Sequence, residues 1–206
     1  MEEFHVTDEA YYQLKDFERL TLTNEQTLLV KEIIPSVFYE KYIKYGLCGG
    51  CKKIRTHYTW CQNCSSKIFK ENFKNWTSGN DNIDKFIQEA QLNAKEHWQV
   101  LEWIDYNKFI NVKYIARGGF GTVYTAIWKD GYISSWHHIN KVWDRDKQNC
   151  RVALKSLNNS QVLVQEFSKE VLLYILLFFN YYRYVFFFKK KRKILNKIIL
   201  QLLYNL

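Results

Sequence analysis

The chain has 206 residues, 47% of them hydrophobic and 17% aromatic, and a formal charge of +9, which is enough for one or two compact domains with their own cores. Arg183, Lys189, Lys190, Lys191, Arg192, Lys193 and Lys197 fall after Glu170, where no acid occurs, so the first 170 residues carry only +2. That larger part has no basic stripe interleaved with aromatics, which argues against a nucleic-acid partner. The acidic start, Glu2, Glu3, Asp8 and Glu9, is neither a signal nor a transit peptide, so a cytoplasmic protein is expected.

Residues 1–45 read as a helical segment. The apolar spacing from Glu9 to Ile34 suits helices broken near Thr21–Thr23. Thr23 followed three positions later by Gln26 makes a capping box, and Pro35, the only proline, ends the second helix. No chemistry is legible in this segment; it reads as a packing or docking pair of helices.

Residues 46–66 carry Cys48-Gly49-Gly50-Cys51 and Cys61-Gln62-Asn63-Cys64. Zinc takes four soft ligands at tetrahedral corners, and each C-x2-C turn can supply two thiolates. The glycines suit such turns if positive φ is needed there. Between the pairs, Ile54, Thr56, Tyr58 and Trp60 alternate with Lys53, Arg55, His57 and Thr59, as a short strand or hairpin arm would. The expectation is a small zinc-ribbon-like unit with a closed, structural zinc held by Cys48, Cys51, Cys61 and Cys64, and His57 on the surface. Rival readings are reduced cysteines packed as small hydrophobes, or a redox dithiol. Cys150 is left over and reads as a small buried or half-buried residue.

Residues 67–98 read as a helical linker, with Ile83, Phe86, Ile87, Ala90 and Ala94 on one face and Asp81 or Ser78 as its start. From Trp98 to Trp128 short apolar and aromatic runs favour strands. Residues 129–151 are polar and read as a long surface loop between two strands.

The run Ile115-Ala116-Arg117-Gly118-Gly119-Phe120-Gly121-Thr122-Val123-Tyr124 has the form of a glycine-rich phosphate loop, in which glycines let backbone N–H groups approach phosphate oxygens. Downstream, Val152-Ala153-Leu154-Lys155 ends an apolar strand on a lysine. A helical pattern then follows, with Leu163, Phe167, Glu170 and Tyr174 on one face and Glu166 nearer its edge. Together these residues resemble the amino-terminal lobe of eukaryotic protein kinases over 99–170. The whole chain is similar to fungal kinases with a CxxC…CxxC segment ahead of the kinase domain.

The resemblance implies an α+β architecture: a partial lobe of antiparallel sheet plus one helix, preceded by helices and the zinc unit. It implies ATP, held by Ile115, Ala116, Arg117, Gly118, Gly119, Phe120, Gly121, Val123, Ala153 and Lys155, and an ion pair between Lys155 and Glu170. Ile115 and Val123 would flank the adenine, with Ala153 capping it. Ala116 departs from the family pattern at its first glycine.

The family activity is phosphorylation of protein Ser, Thr or Tyr, yet neither H-R-D nor D-F-G occurs in the sequence, so the base and the Mg2+ ligands are missing. The chain therefore reads as a truncated kinase without activity of its own. Residues 171–206 are expected to be an apolar, basic, helical tail. Their narrow composition is what A/T-rich codons give, as in translated non-coding sequence. Alternatively, Val171 to Phe188 followed by Lys189–Lys193 is a membrane span with a basic stop, against which Asn180 and Arg183 count. The same basic cluster as a nuclear signal ranks below both. Two rivals from other classes stand beside the kinase: a zinc-stabilised module that binds an unidentified protein partner, with a pseudokinase-like lobe, and a membrane-anchored adaptor.

Overall fold

A computed structural model describes residues 4–118, 121–157, 184–188 and 197–199. Helices come first. Helix α1 (Asp8–Leu14) starts at Thr7, and α2 (Asn24–Ile33) starts at Thr23, where the expected capping box is formed on both sides: Gln26 N–H donates to Thr23 Oγ1 at 3.2 Å and Thr23 N–H to Gln26 Oε1 at 2.9 Å. Pro35 does end α2, and it also begins a third helix, α3 (Ser36–Tyr45), because a proline lacks the N–H that a helix start leaves unpaired anyway. These helices bury Leu14, Val30, Ile34 and Tyr42 together with Leu47 and Ile54, so the helical segment and the start of the cysteine unit share one core.

Helix α4 (Gln62–Asn72) begins inside the cysteine unit and packs on α5 (Asp81–Asn93). Helix α5 begins at Asp81, one of the two expected starts, and is capped by Asn80, whose side chain accepts from the Asn82 and Ile83 N–H groups. Its buried positions are Asp84, Ile87 and Gln91. Thr77 and Ser78 donate to Asp84, and Gln91 Nε2 donates to the Leu101 carbonyl at 2.6 Å, while Gln91 Oε1 is buried without a hydrogen-bond partner.

The strands are β1 (Trp103–Asp105), β2 (Phe109–Gly118), β3 (Gly121–Trp128), β4 (Tyr132–His137), β5 (Val142–Asp146), β6 (Cys150–Leu157), β7 (Tyr184–Phe188) and β8 (Lys197–Ile199). One sheet runs in the order β1-β8-β7-β6-β3-β2, antiparallel except for the parallel pair β6–β7. Ile104, Phe109, Ala126, Trp128, Tyr132, Val152 and Leu154 form its core, with Cys150 half-buried against it as expected. The mixed helix-and-sheet architecture agrees with the sequence at that level.

Two expectations are corrected. Residues 129–151 are not a surface loop: β4 and β5 form a second, two-stranded sheet whose Tyr132, Ile133 and Ser134 are buried. Where a helical tail was expected, residues 184–188 and 197–199 are strands, as suits Val, Ile and aromatic residues that pack well on a pleated surface. The expected helix around Leu163, Glu166, Phe167, Glu170 and Tyr174 lies outside the described residues, as does 171–183 of the proposed span. Among the described residues no helix is long and apolar enough to cross a membrane.

The β4–β5 hairpin is tied down by charge as well as packing. Arg145 forms two hydrogen bonds to Glu102, the shorter at 2.5 Å, and a third to the Gly131 carbonyl at 2.7 Å. Burial pushes the Glu102 carboxyl above the usual range, opposed by the adjacent guanidinium. Removing one partner leaves the other uncompensated. Because the Arg145 side chain keeps about a quarter of its exposure, Arg145→Ala should lower unfolding free energy by about 2–3 kcal/mol, below the range for a fully buried pair. Urea denaturation measures this, and a loss under about 0.5 kcal/mol would place the pair with ordinary surface bridges.

Candidate metal centre and glycine-rich hairpin

The first cysteine pair lies on a tight turn after α3. Leu47 bridges Ile54, the Cys48 N–H bonds the Lys53 carbonyl at 2.8 Å, and the Lys52 N–H bonds the Cys48 carbonyl at 2.9 Å. The positive φ in this turn, 58°, belongs to Lys52, not to Gly49 or Gly50 as expected. The chain then passes through a bend at residues 56–59 rather than along a strand. Trp60 closes the bend by accepting the Thr56 and His57 N–H groups at its carbonyl, both at 3.1 Å. Cys61 is the N-cap of α4, and Cys64 lies in that helix's first turn. The unit is therefore a turn facing a helix start, not two matching ribbon turns.

These two pieces bring the four sulfurs within 4.8 Å of one another. The shortest separations cross between the pairs, Cys48–Cys64 at 3.6 Å and Cys51–Cys61 at 3.5 Å. A tetrahedral zinc–thiolate centre with Zn–S near 2.3 Å sets its sulfurs about 3.8 Å apart, so the four positions fit that ion closely. No disulfide links them.

The four thiols also perturb one another. Hydrogen bonding from Cys51, its thiol first and its backbone N–H in addition, holds Cys48 well below the ordinary thiol range. Cys51 is pushed up by Cys48 but drawn further down by Cys61 and Cys64, to about 6. Cys61 and Cys64 are pushed up, chiefly by Cys48. Four thiols in contact cannot all ionise by themselves, because each thiolate opposes the next; a bound dication removes that conflict. All four donors are protein atoms, so an ion held by them would have a closed, structural shell. Cys48 and Cys61 are buried and the other two half-buried.

Sequence reasoning missed what surrounds the sulfurs. A cleft of ≈ 210 Å3 beside them is lined by Arg55, Tyr58, Ser65, Ser135, Trp136 and His138 among others. The last three come from the β4–β5 hairpin and its turn, and His138 Nε2 lies 3.8 Å from Cys48 Sγ. The hairpin also lays Trp143 against Phe69 at 4.6 Å and Trp60 at 5.6 Å between ring centroids, and its Ser134 carbonyl accepts from Thr59 Oγ1 at 3.2 Å. His57, expected on the surface, is half-buried among Tyr45, Tyr58, His97 and Trp98. No spacing rule could have found His138, which is 90 residues from Cys48.

The second group of expected site residues lies on the larger sheet. Gly118 pairs with Gly121 at the end of the β2–β3 ladder; Gly119 and Phe120 lie outside the described residues. The register sets Ala116 opposite Val123 and Val123 opposite Lys155, one row across three strands, with Ala153 opposite Thr125. A register shift between Tyr114 and Ala116 leaves Ile115 without a cross-strand partner residue, and Ile115 is 54% exposed. Arg117 is exposed, and a Cβ placed on Gly118 meets no atom within 4 Å. Glu170, the expected partner of Lys155, lies outside the described residues.

Compared with family models, with curated proteins and with solved structures, the chain matches none.

Proposed function

We propose that the chain is a member of the protein kinase superfamily, with a structural zinc centre packed against the β4–β5 hairpin and a separate, larger sheet that binds the phosphates of ATP. The observation that carries this reading is the row Ala116–Val123–Lys155, which puts a strand-borne lysine two positions from the tip of a glycine hairpin. Nothing in the protein near Gly118 demands a missing Cβ. A glycine with open space around it suits a backbone that a ligand must approach. The backbone N–H groups of the hairpin would hold phosphate oxygens, and Lys155 would supply a charge-assisted bond to them.

The residues present bind but do not transfer. No aspartate of an H-R-D or D-F-G run exists in the sequence to accept a hydroxyl proton or hold Mg2+. We propose accordingly that this chain binds ATP weakly and phosphorylates nothing by itself. The interaction-module reading keeps the same zinc centre but needs no nucleotide.

Titrating the full chain with a fluorescent ATP analogue separates the two. Wild type should bind, and Lys155→Met should weaken Kd about 10- to 100-fold, the worth of a charged hydrogen bond at about 1.5–3 kcal/mol. Equal affinity in the two proteins, or no binding by wild type at millimolar analogue, would contradict the nucleotide reading and leave the interaction module. Labelled phosphate incorporated by wild type but not by Lys155→Met would contradict the absence of transfer.

A further inference from the structure

Gly50 sits directly beneath the His138 ring. A Cβ at position 50 would stand 2.4 Å from His138 Cε1 and 2.7 Å from Nδ1, so only glycine admits the imidazole there. Gly50 is absent from the residues with positive φ, which removes the backbone reason for that glycine. The space it leaves is filled by a side chain whose Nε2 reaches Cys48 Sγ at 3.8 Å. The same turn and hairpin line the cleft beside the sulfurs.

We infer that His138 is a positioning residue of the metal centre, donating its Nε2–H to the Cys48 thiolate and closing the cleft side of that sulfur with the β4–β5 hairpin. This rests on the zinc reading of the four cysteines. A metal-bound thiolate carries no proton, so the hydrogen between the two atoms belongs to the imidazole, and Nδ1 is left as the acceptor. A donor of this kind draws charge off the sulfur and orients it, and outer partners of metal ligands commonly govern retention. The contact also joins the two halves of the chain: the sulfur belongs to the turn after α3, and the imidazole to the insertion between β3 and β6.

The test uses the full chain loaded with Zn2+, and in parallel with Co2+ as a spectroscopic substitute. Relative to wild type, His138→Ala should release zinc to a chromophoric chelator about tenfold faster, within the 10- to 100-fold loss typical of such partners. It should also move the cobalt–thiolate charge-transfer band to longer wavelength, because a sulfur that loses its hydrogen bond gives up electron density more readily. His138→Gln retains an N–H donor and should restore both readouts. Gly50→Ala should reproduce the His138→Ala behaviour with the histidine still present, because it displaces the end of a flexible side chain rather than backbone. Release rates and cobalt spectra unchanged in His138→Ala and Gly50→Ala would overturn the role given to His138 while leaving the zinc centre standing. A wild-type chain that takes up neither metal would instead overturn the zinc reading itself.

Discussion

Replacing Cys61 by serine should cost the protein its zinc and, with it, the ordered structure from Leu47 to Asn72. Leu47, Ile54, Trp60 and Phe69 give this segment apolar contacts with its neighbours, but its strand pairing is limited to the isolated bridges His5–Lys53 and Leu47–Ile54, and the Cys61 side chain makes no capping hydrogen bond to α4. Cys61 both caps α4 and supplies a sulfur, so one substitution detaches the helix start from the turn. Structural zinc contributes about 10–16 kcal/mol of apparent binding free energy in small zinc units, more than the whole stability of many domains at about 5–15 kcal/mol. Circular dichroism and limited proteolysis should show lost helix and new cleavage sites between residues 47 and 72. Chelation of the wild-type protein should give the same pattern. A variant with wild-type helix content and melting temperature would mean that packing alone sustains the unit.

Trp60→Ala should be the most damaging single change in the described apolar core outside the cysteines. The Trp60 side chain is fully buried, packs against both Phe69 and Trp143, and donates Nε1–H to the Ala94 carbonyl at 2.8 Å. It joins α4, the approach to β1 and the β4–β5 hairpin in one cluster with Val100 and Ile133. Deleting a buried Trp costs about 3–5 kcal/mol through lost burial and the cavity left behind. Trp60→Phe keeps much of the ring but leaves the Ala94 carbonyl unpaired, at about 1–3 kcal/mol. Urea midpoints of the zinc-loaded proteins should therefore fall in the order wild type, Phe, Ala. If Phe and Ala destabilise equally, the hydrogen bond rather than the packing dominates.

The features legible in the sequence are those set by near neighbours. The Thr23–Gln26 box and the Pro35 break depend on three or four consecutive residues, and the two C-x2-C turns announce their ligands by spacing alone. The β4–β5 hairpin gave no such sign. Its turn contains neither glycine nor proline, Lys141 takes the positive φ of 52°, and the apolar residues that anchor it, Ile133 and Trp143, find partners in Trp60 and Phe69, with Trp136 edge-on to Trp143. For the same reason no pattern points to His138, and the glycine at position 50, which reads as a backbone requirement, stands where a Cβ would meet the His138 ring. Asp84 stands on the buried side of α5 because the preceding turn donates to its carboxylate, and Gln91 because its amide N–H reaches the Leu101 carbonyl, which a hydrophobic pattern does not reveal.

Metal analysis of the full chain, purified under reducing conditions with zinc supplied, tests the central claim most directly when combined with thiol alkylation. The account predicts one equivalent of zinc, with Cys48, Cys51, Cys61 and Cys64 protected from alkylation until chelator is added and Cys150 indifferent to chelator. Less than a few tenths of an equivalent, or alkylation of the four cysteines at the same rate with and without chelator, would contradict it.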